Sequence, residues 1–301
     1  VLGVVLRRAV WSWLRQWAGV LEVWRQSGSF ARWLAGLIAL LFLLTLITSL
    51  APPLHFDSLV YHLVMPRAYL DAGRIGYLPW IVMTGMPQNT EMLHTWAAAL
   101  GGSEAAVTLV WVVGLLACLG LLGYLQQRWD ARAAWVGTAA LLAGYTPVKL
   151  LSGGYVDWPV FLYGLGTLVT LEAWRREGRA RDLILAGLFT GLAVGSKYTS
   201  GVLALAGLIA LAWHAWQRRA SFIPAALRYG LAATCTALPW FIKNLATTGN
   251  PAYPFFFTAG AVTPVRLSVY QHLPPWGSAL DIFLLPFRAT SLGLDAGDGY
   301  M

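Results

Sequence analysis

Apolar residues run without a charge from Trp33 to Leu54, long enough to cross a bilayer as a helix. Six more apolar stretches follow: Ala105–Gln127, Ala133–Val148, Trp158–Leu171, Leu183–Ser196, Thr199–Trp216 and Ile223–Ile242. The pattern predicts an all-α, polytopic transmembrane helical bundle of about seven spans. Several stretches are short for a bilayer, so flanking Lys and Arg must snorkel or sit in protein-lined cavities. The third is expected to end at a break over Tyr145-Thr146-Pro147.

Two regions carry a different pattern. Within residues 1–30, Arg7, Arg8, Arg15, Glu22 and Arg25 fall on one side of a helical wheel. Leu6, Val10, Trp13, Leu14, Trp17, Leu21 and Trp24 fall on the other. This predicts an interfacial amphipathic helix on an anionic surface, with docking on a partner protein as the alternative. The long segment 55–104 holds two amphipathic stretches too short and too polar to cross, Ser58–Leu70 and Pro87–Leu100. They read as juxtamembrane helices in a large first loop, the second ending at Gly101-Gly102. Three regions result: the amphipathic helix at 1–30, the membrane module at 31–257, and a final loop region at 258–301. With no initiator Met and an abrupt stop at Met301, the chain reads as a piece of a longer protein.

Composition narrows the function classes. Of 301 residues, 58% are hydrophobic and 11% charged, with a mean hydropathy of +0.61. That excludes an ordinary soluble domain. Sixteen tryptophans suit two interfacial belts. A net charge of +8 would suggest nucleic acid in a soluble protein, but here the basic residues follow membrane topology. Fourteen lie in short loops on the side of the amino terminus, from Arg7 through Arg128 and Arg175 to Arg228, against seven on the other side. The bias predicts a cytoplasmic amino terminus in a multi-pass cell (inner) membrane protein. The loop 55–104 is then extracytoplasmic. Cys118 and Cys235 lie in apolar stretches and form no disulfide or metal pattern.

On the outer side the chemistry gathers. His55-Phe56-Asp57-Ser58-Leu59-Val60-Tyr61-His62 brings a carboxylate and two imidazoles to the exit of the first span. Ionisable groups at membrane depth are expensive and usually functional. The turns holding Lys149 with Asp157 and Gly195-Ser196-Lys197-Tyr198, and everything after Lys243, face the same way.

The strings Phe56-Asp57-Ser58-Leu59-Val60-Tyr61-His62, Pro87-Gln88-Asn89-Thr90-Glu91-Met92-Leu93, Gly191 to Tyr198, and Pro239-Trp240-Phe241-Ile242-Lys243-Asn244 occur in this order. The chain in this respect resembles the GT-C superfamily of membrane glycosyltransferases, in the bacterial branch of protein O-mannosyltransferases and aminoarabinose transferases. The resemblance runs from about Trp33 to Phe257. It implies a polyprenyl-phosphate-linked sugar donor, membrane lipids as surroundings, and catalysis at the extracytoplasmic face. Relatives usually continue through further spans, so the chain covers their conserved module only.

Such a transfer needs a base for the acceptor's proton and cations for the departing phosphate. Asp57 lies at the headgroup level where the donor's reactive carbon is tethered, and the resemblance assigns the first-loop acid this role. A helix cap at the start of Ser58–Leu70 is its structural alternative. Lys197 is a phosphate ligand or a snorkelling lysine; Arg67, Lys243 and the neighbouring Asn244 are weaker substrate-binding candidates. Asp157 is a second acid, a lysine partner or a cap ahead of Pro159. His62 is a substrate-binding or hydrogen-bonded residue, and Asp57, His55 and His62 together are candidate ligands for a divalent metal ion, since some relatives bind one. The leading expectation is inverting sugar transfer with Asp57 as general base. The alternative is a non-catalytic subunit of this scaffold, held with other membrane subunits in a larger complex.

Overall fold

The computed structural model describes Trp11, residues 19–257 and residues 280, 284 and 287. Most of the amino-terminal amphipathic segment, and nearly all of the expected region 258–301, lie outside the described residues. Among the described residues the regular structure is helical, apart from one isolated bridge between Leu78 and Ile81. We number the helices α1 (Ser29–Ser49), α2 (Val64–Ala72), α3 (Asn89–Arg128), α4 (Ala131–Leu142) and α5 (Tyr145–Leu151). They continue as α6 (Asp157–Glu177), α7 (Ala180–Val194), α8 (Gly201–Arg218) and α9 (Phe222–Thr248). Among the described residues, three helical stretches are long and apolar enough to cross a membrane: Ser29–Ser49, Asn89–Arg128 and Tyr198–Arg218.

The first half packs around α3. Phe42 of α1 meets Val110, Ala117 and Cys118 of α3 in one buried cluster, together with Leu151 and Trp158. The Trp111 indole donates to the Phe42 carbonyl at 3.1 Å and lies 3.0 Å from the Thr45 hydroxyl. Residues 19–26 are also helical, and Val23 is buried against Ala31, Ala35, Leu122, Ala134 and Trp135.

The juxtamembrane helix ends at Gly101-Gly102 as expected: both residues leave helical φ/ψ, Gly102 at φ +77, which a side chain would resist, and a second helical segment resumes at once, so α3 is two helices joined at a kink. One boundary differs from the expected one. The break in the third apolar stretch falls earlier, at Ala143–Gly144. Pro147 then sits in the first turn of α5, where its missing N–H leaves no helical bond unmade.

The second half packs around α7, which lies against both α6 and α9. Gly187 and Gly191, one helical turn apart, let α7 approach the α9 backbone at the carbonyls of Tyr229 and Ala233. Small residues at this spacing are how membrane helices come close without a hydrophobic driving force. Between them Thr190 links to the Tyr229 hydroxyl at 2.8 Å and to Thr167 of α6 at 3.2 Å, so the buried hydroxyls satisfy one another. A Gly191→Leu substitution would drive its side chain into the Ala233 carbonyl, which cannot yield without moving α9. The expected loss is at least roughly 1–3 kcal/mol, read as a lowered unfolding temperature in detergent. Gly230→Ala, where a Cβ meets nothing within 4 Å, should leave it unchanged.

One asparagine ties the two halves together. The Asn89 amide donates to the Leu192 and Thr236 carbonyls at 3.2 and 3.3 Å and accepts from the Trp240 indole at 2.7 Å. Its backbone N–H meets the Gly195 carbonyl at 2.7 Å, and Thr90 donates to Ser196 at 3.0 Å. The start of α3, the end of α7 and the end of α9 are thereby fixed at one end of the bundle. The cavity described next opens there.

Candidate functional site

Asp57 stands at the entry of a single π-helical turn, Ser58–His62. Its side chain makes no capping bond, so the capping alternative has no support. The wider turn also changes the phase of the chain, and single π turns of this kind recur at functional sites. Asp57, Tyr61 and His62 all reach the same cavity, although α-helical spacing would keep only Tyr61, four residues on, on the face of Asp57 and would turn His62 away. Ser58 anchors the turn by donating to the Gly153 carbonyl.

The cavity has a volume of about 270 Å³. It is lined by Asp57, Tyr61, His62 and Glu91, by Tyr155, Asp157 and Lys197, and by Phe255 from the loop after α9. The Tyr61 and Tyr155 hydroxyls both lie close enough to Asp57 to feel its charge. Burial, then the negative charge of Asp57, pushes both phenols above their ordinary pKa. Each therefore stays a neutral hydroxyl next to the acid. His55, outside the cavity lining, packs edge-on to Tyr155 at 5.9 Å. Its pKa is lowered by burial and then by the charge of Lys149.

Behind Asp57 lies a buried polar group that the sequence did not reveal. His62 Nδ1 and Glu91 Oε1 are 2.9 Å apart, both side chains about 5% exposed. His94 Nδ1 faces the His62 carbonyl at 3.3 Å. Glu91 Oε2 and His94 Nε2 are buried with no hydrogen-bond partner among the described residues, an unusual state for polar atoms. Glu91 is the one acid in its amphipathic stretch, and that isolation was the available signal.

Asp157 and Lys197 meet across the rim, Nζ to Oδ1 at 2.8 Å, each more than a third exposed. Asp157 thus takes the lysine-partner arrangement. The other cations lie elsewhere. Lys243 is turned away from the cavity, donating to the Thr84 and Met86 carbonyls and lying 5.4 Å over the Trp240 ring. Asn244 is fully buried and holds the Tyr198 hydroxyl at 3.1 Å and the Pro251 carbonyl at 3.4 Å. Arg67 is 83% exposed and faces only Asp71, at 3.7 Å. These three do not line the cavity. Nor do Asp57, His55 and His62 assemble a metal site. Among the described residues no three His, Cys, Asp or Glu side chains converge as ligands, and His62 Nδ1 already faces Glu91.

The loop after α9 is ordered by Asn250, whose amide donates to the Phe255 and Phe257 carbonyls at 3.0 and 2.9 Å. Tyr253 is fully buried against Gly85. This brings Phe255 to the cavity.

Apolar helices that carry acids, a lysine and tyrosines to one cavity suit a membrane group-transfer enzyme. Residues 90–242 match the family described as dolichyl-phosphate-mannose-protein mannosyltransferase; no curated protein and no solved structure matches. The class is therefore a membrane glycosyltransferase using polyprenyl-phosphate-linked sugar donors. The chain belongs to the dolichyl-phosphate-mannose-protein mannosyltransferase family, the matched half holding Glu91, Asp157 and Lys197 and starting after Asp57.

Proposed function

We propose that the cavity binds the sugar-phosphate end of a polyprenyl-phosphate sugar and transfers the sugar to an acceptor, with inversion and with Asp57 as general base. The observation that carries this reading is the convergence on one cavity of Asp57 and the Lys197–Asp157 pair. The acceptor oxygen or nitrogen attacks the anomeric carbon while its proton passes to Asp57. The bond from that carbon to the phosphate oxygen breaks, and its electron pair stays on the phosphate. Tyr61 and Tyr155 orient the carboxylate, and Lys197 leaves Asp157 for the donor phosphate, whose negative charge grows from one towards two as the sugar departs. The cavity lies near the lower end of the roughly 300–1,000 Å³ usual for ligand pockets, which suits one sugar unit with the lipid tail outside.

The same reading places this end of the bundle outside the cell membrane. It takes α1, α3, α4 with α5, α6, α7, α8 and α9 as about seven spans, the amino terminus being cytoplasmic by the arginine bias. In intact cells a cysteine at position 57, in a background lacking Cys118 and Cys235, should react with an impermeant thiol reagent. One at position 176 should react only after permeabilisation, and the reverse pattern would refute the orientation. Activity is tested by offering the reconstituted protein labelled polyprenyl-phosphate mannose and aminoarabinose with a membrane extract as acceptor. Release of polyprenyl phosphate is expected for one donor. Release of none, from protein that still binds a donor, would favour a non-catalytic role among other membrane subunits.

A further inference from the structure

At the end of the bundle opposite the cavity, charge is distributed unevenly. Glu172 of α6 receives Arg128 from the end of α3 directly, with Arg175 and Arg176 at 3.6 Å each. Its second oxygen accepts from the Tyr124 hydroxyl at 3.1 Å. Arg175, together with Arg218 at the end of α8, also acts electrostatically on His214, whose ring lies 4.8 Å from Trp174. Four guanidiniums thus gather around one carboxylate and a histidine. The next arginines along the chain are balanced: Arg179 and Arg181 face Glu177 and Asp182. Asp130, the other nearby acid, caps α4 by accepting from the Ala133 N–H at 2.7 Å.

Tryptophans mark the level of this cluster. The rings of Trp213 and Trp216 lie 4.9 Å apart, tilted to one another, and are 56% and 71% exposed, and Trp129 beside Arg128 is 67% exposed. Exposed indoles at helix ends sit at the lipid headgroups. Arg175 and Arg176 remain 60% and 56% exposed, so most of their donors are free. A guanidinium fork fits phosphate oxygens in pairs, and basic pockets between membrane helices hold anionic headgroups.

We propose that Arg128, Arg175, Arg176 and Arg218 form a binding site for the phosphate of an anionic phospholipid, in the leaflet opposite the cavity. Glu172 holds Arg128 in place, the two exposed arginines of α6 grip the phosphate, and the acyl chains lie along the apolar flank of α8. The site is independent of the catalytic reading and would exist in an inactive protein.

The test uses the full chain in phosphatidylcholine vesicles, with spin-labelled phosphatidylglycerol as probe. A motionally restricted component should appear with a preference over spin-labelled phosphatidylcholine of roughly ten-fold, given the energy per arginine at a surface. Arg175→Gln with Arg176→Gln should bring that preference to within about two-fold, and the corresponding pair of lysine substitutions should restore most of it. Because both side chains are exposed, the fold should survive, which an unchanged melting temperature checks. Three results would each overturn the proposal: no preference in the unmodified protein, a preference that persists in the glutamine variant, or displacement of the lipid by inorganic phosphate at constant ionic strength. The last would indicate a site for free anions.

Discussion

Asp57→Asn is expected to leave a folded protein with a melting temperature near that of the parent and to remove sugar transfer. The amide has almost the shape of the carboxylate, but it cannot take the acceptor's proton. Loss of a general base typically lowers a rate by about 10²–10⁴-fold. Donor binding should change far less, because the proposed phosphate ligand is Lys197 and not Asp57. A variant that keeps transfer within a few-fold would remove Asp57 from the chemistry. Glu91 would then be the next acid to test, since its free oxygen is buried at the same cavity.

The second large effect is expected at Lys197. Lys197→Met keeps most of the stem and removes the charge, leaving Asp157 at the rim without its partner. If the ammonium moves from Asp157 to the donor phosphate, its loss should cost roughly 1.5–3 kcal/mol of binding. That is about 10- to 100-fold in donor affinity. The resting pair itself contributes little to stability, being exposed and screened by water, so unfolding should shift only slightly. The combination separates the two roles open to this residue. A snorkelling lysine would show unaltered donor affinity, whereas a phosphate ligand shows weakened affinity with stability almost intact.

The apolar stretches announced an all-helical membrane protein because so many long, charge-free runs could not all be buried inside a water-soluble fold of this size. Junctions were legible in part. The pair Gly101-Gly102 marked a true interruption, since both glycines leave helical φ/ψ, whereas the break in the third apolar stretch falls before the Tyr145-Thr146-Pro147 signal, at Ala143–Gly144. The site was legible in part. Asp57 and Lys197 could be singled out because charges are scarce here and both lie at the ends of apolar stretches. Lys243 carried the same signal, yet it faces the Thr84 and Met86 carbonyls; a position at a helix end does not say which way a long side chain turns. The His62–Glu91 contact joins residues 29 apart through a π turn, and no periodicity rule covers that turn. Tyr61 lies at α-helical same-face spacing from Asp57, whereas Tyr155 comes from the segment before α6, and no spacing rule links it to the acid.

The central claim is that the donor's phosphate and sugar occupy the cavity at Asp57. A polyprenyl phosphate bearing a photoreactive group next to its phosphate tests this most directly. Irradiation of the reconstituted protein, followed by peptide mapping, should place the label on the segment 57–65 and on 155–157 or 196–199, all of which line that cavity. Excess unlabelled donor should suppress it. Label appearing instead along the apolar groove between α1 and α3, around Phe42, Leu115 and Leu119, with 57–65 and 196–199 clean, would contradict the account.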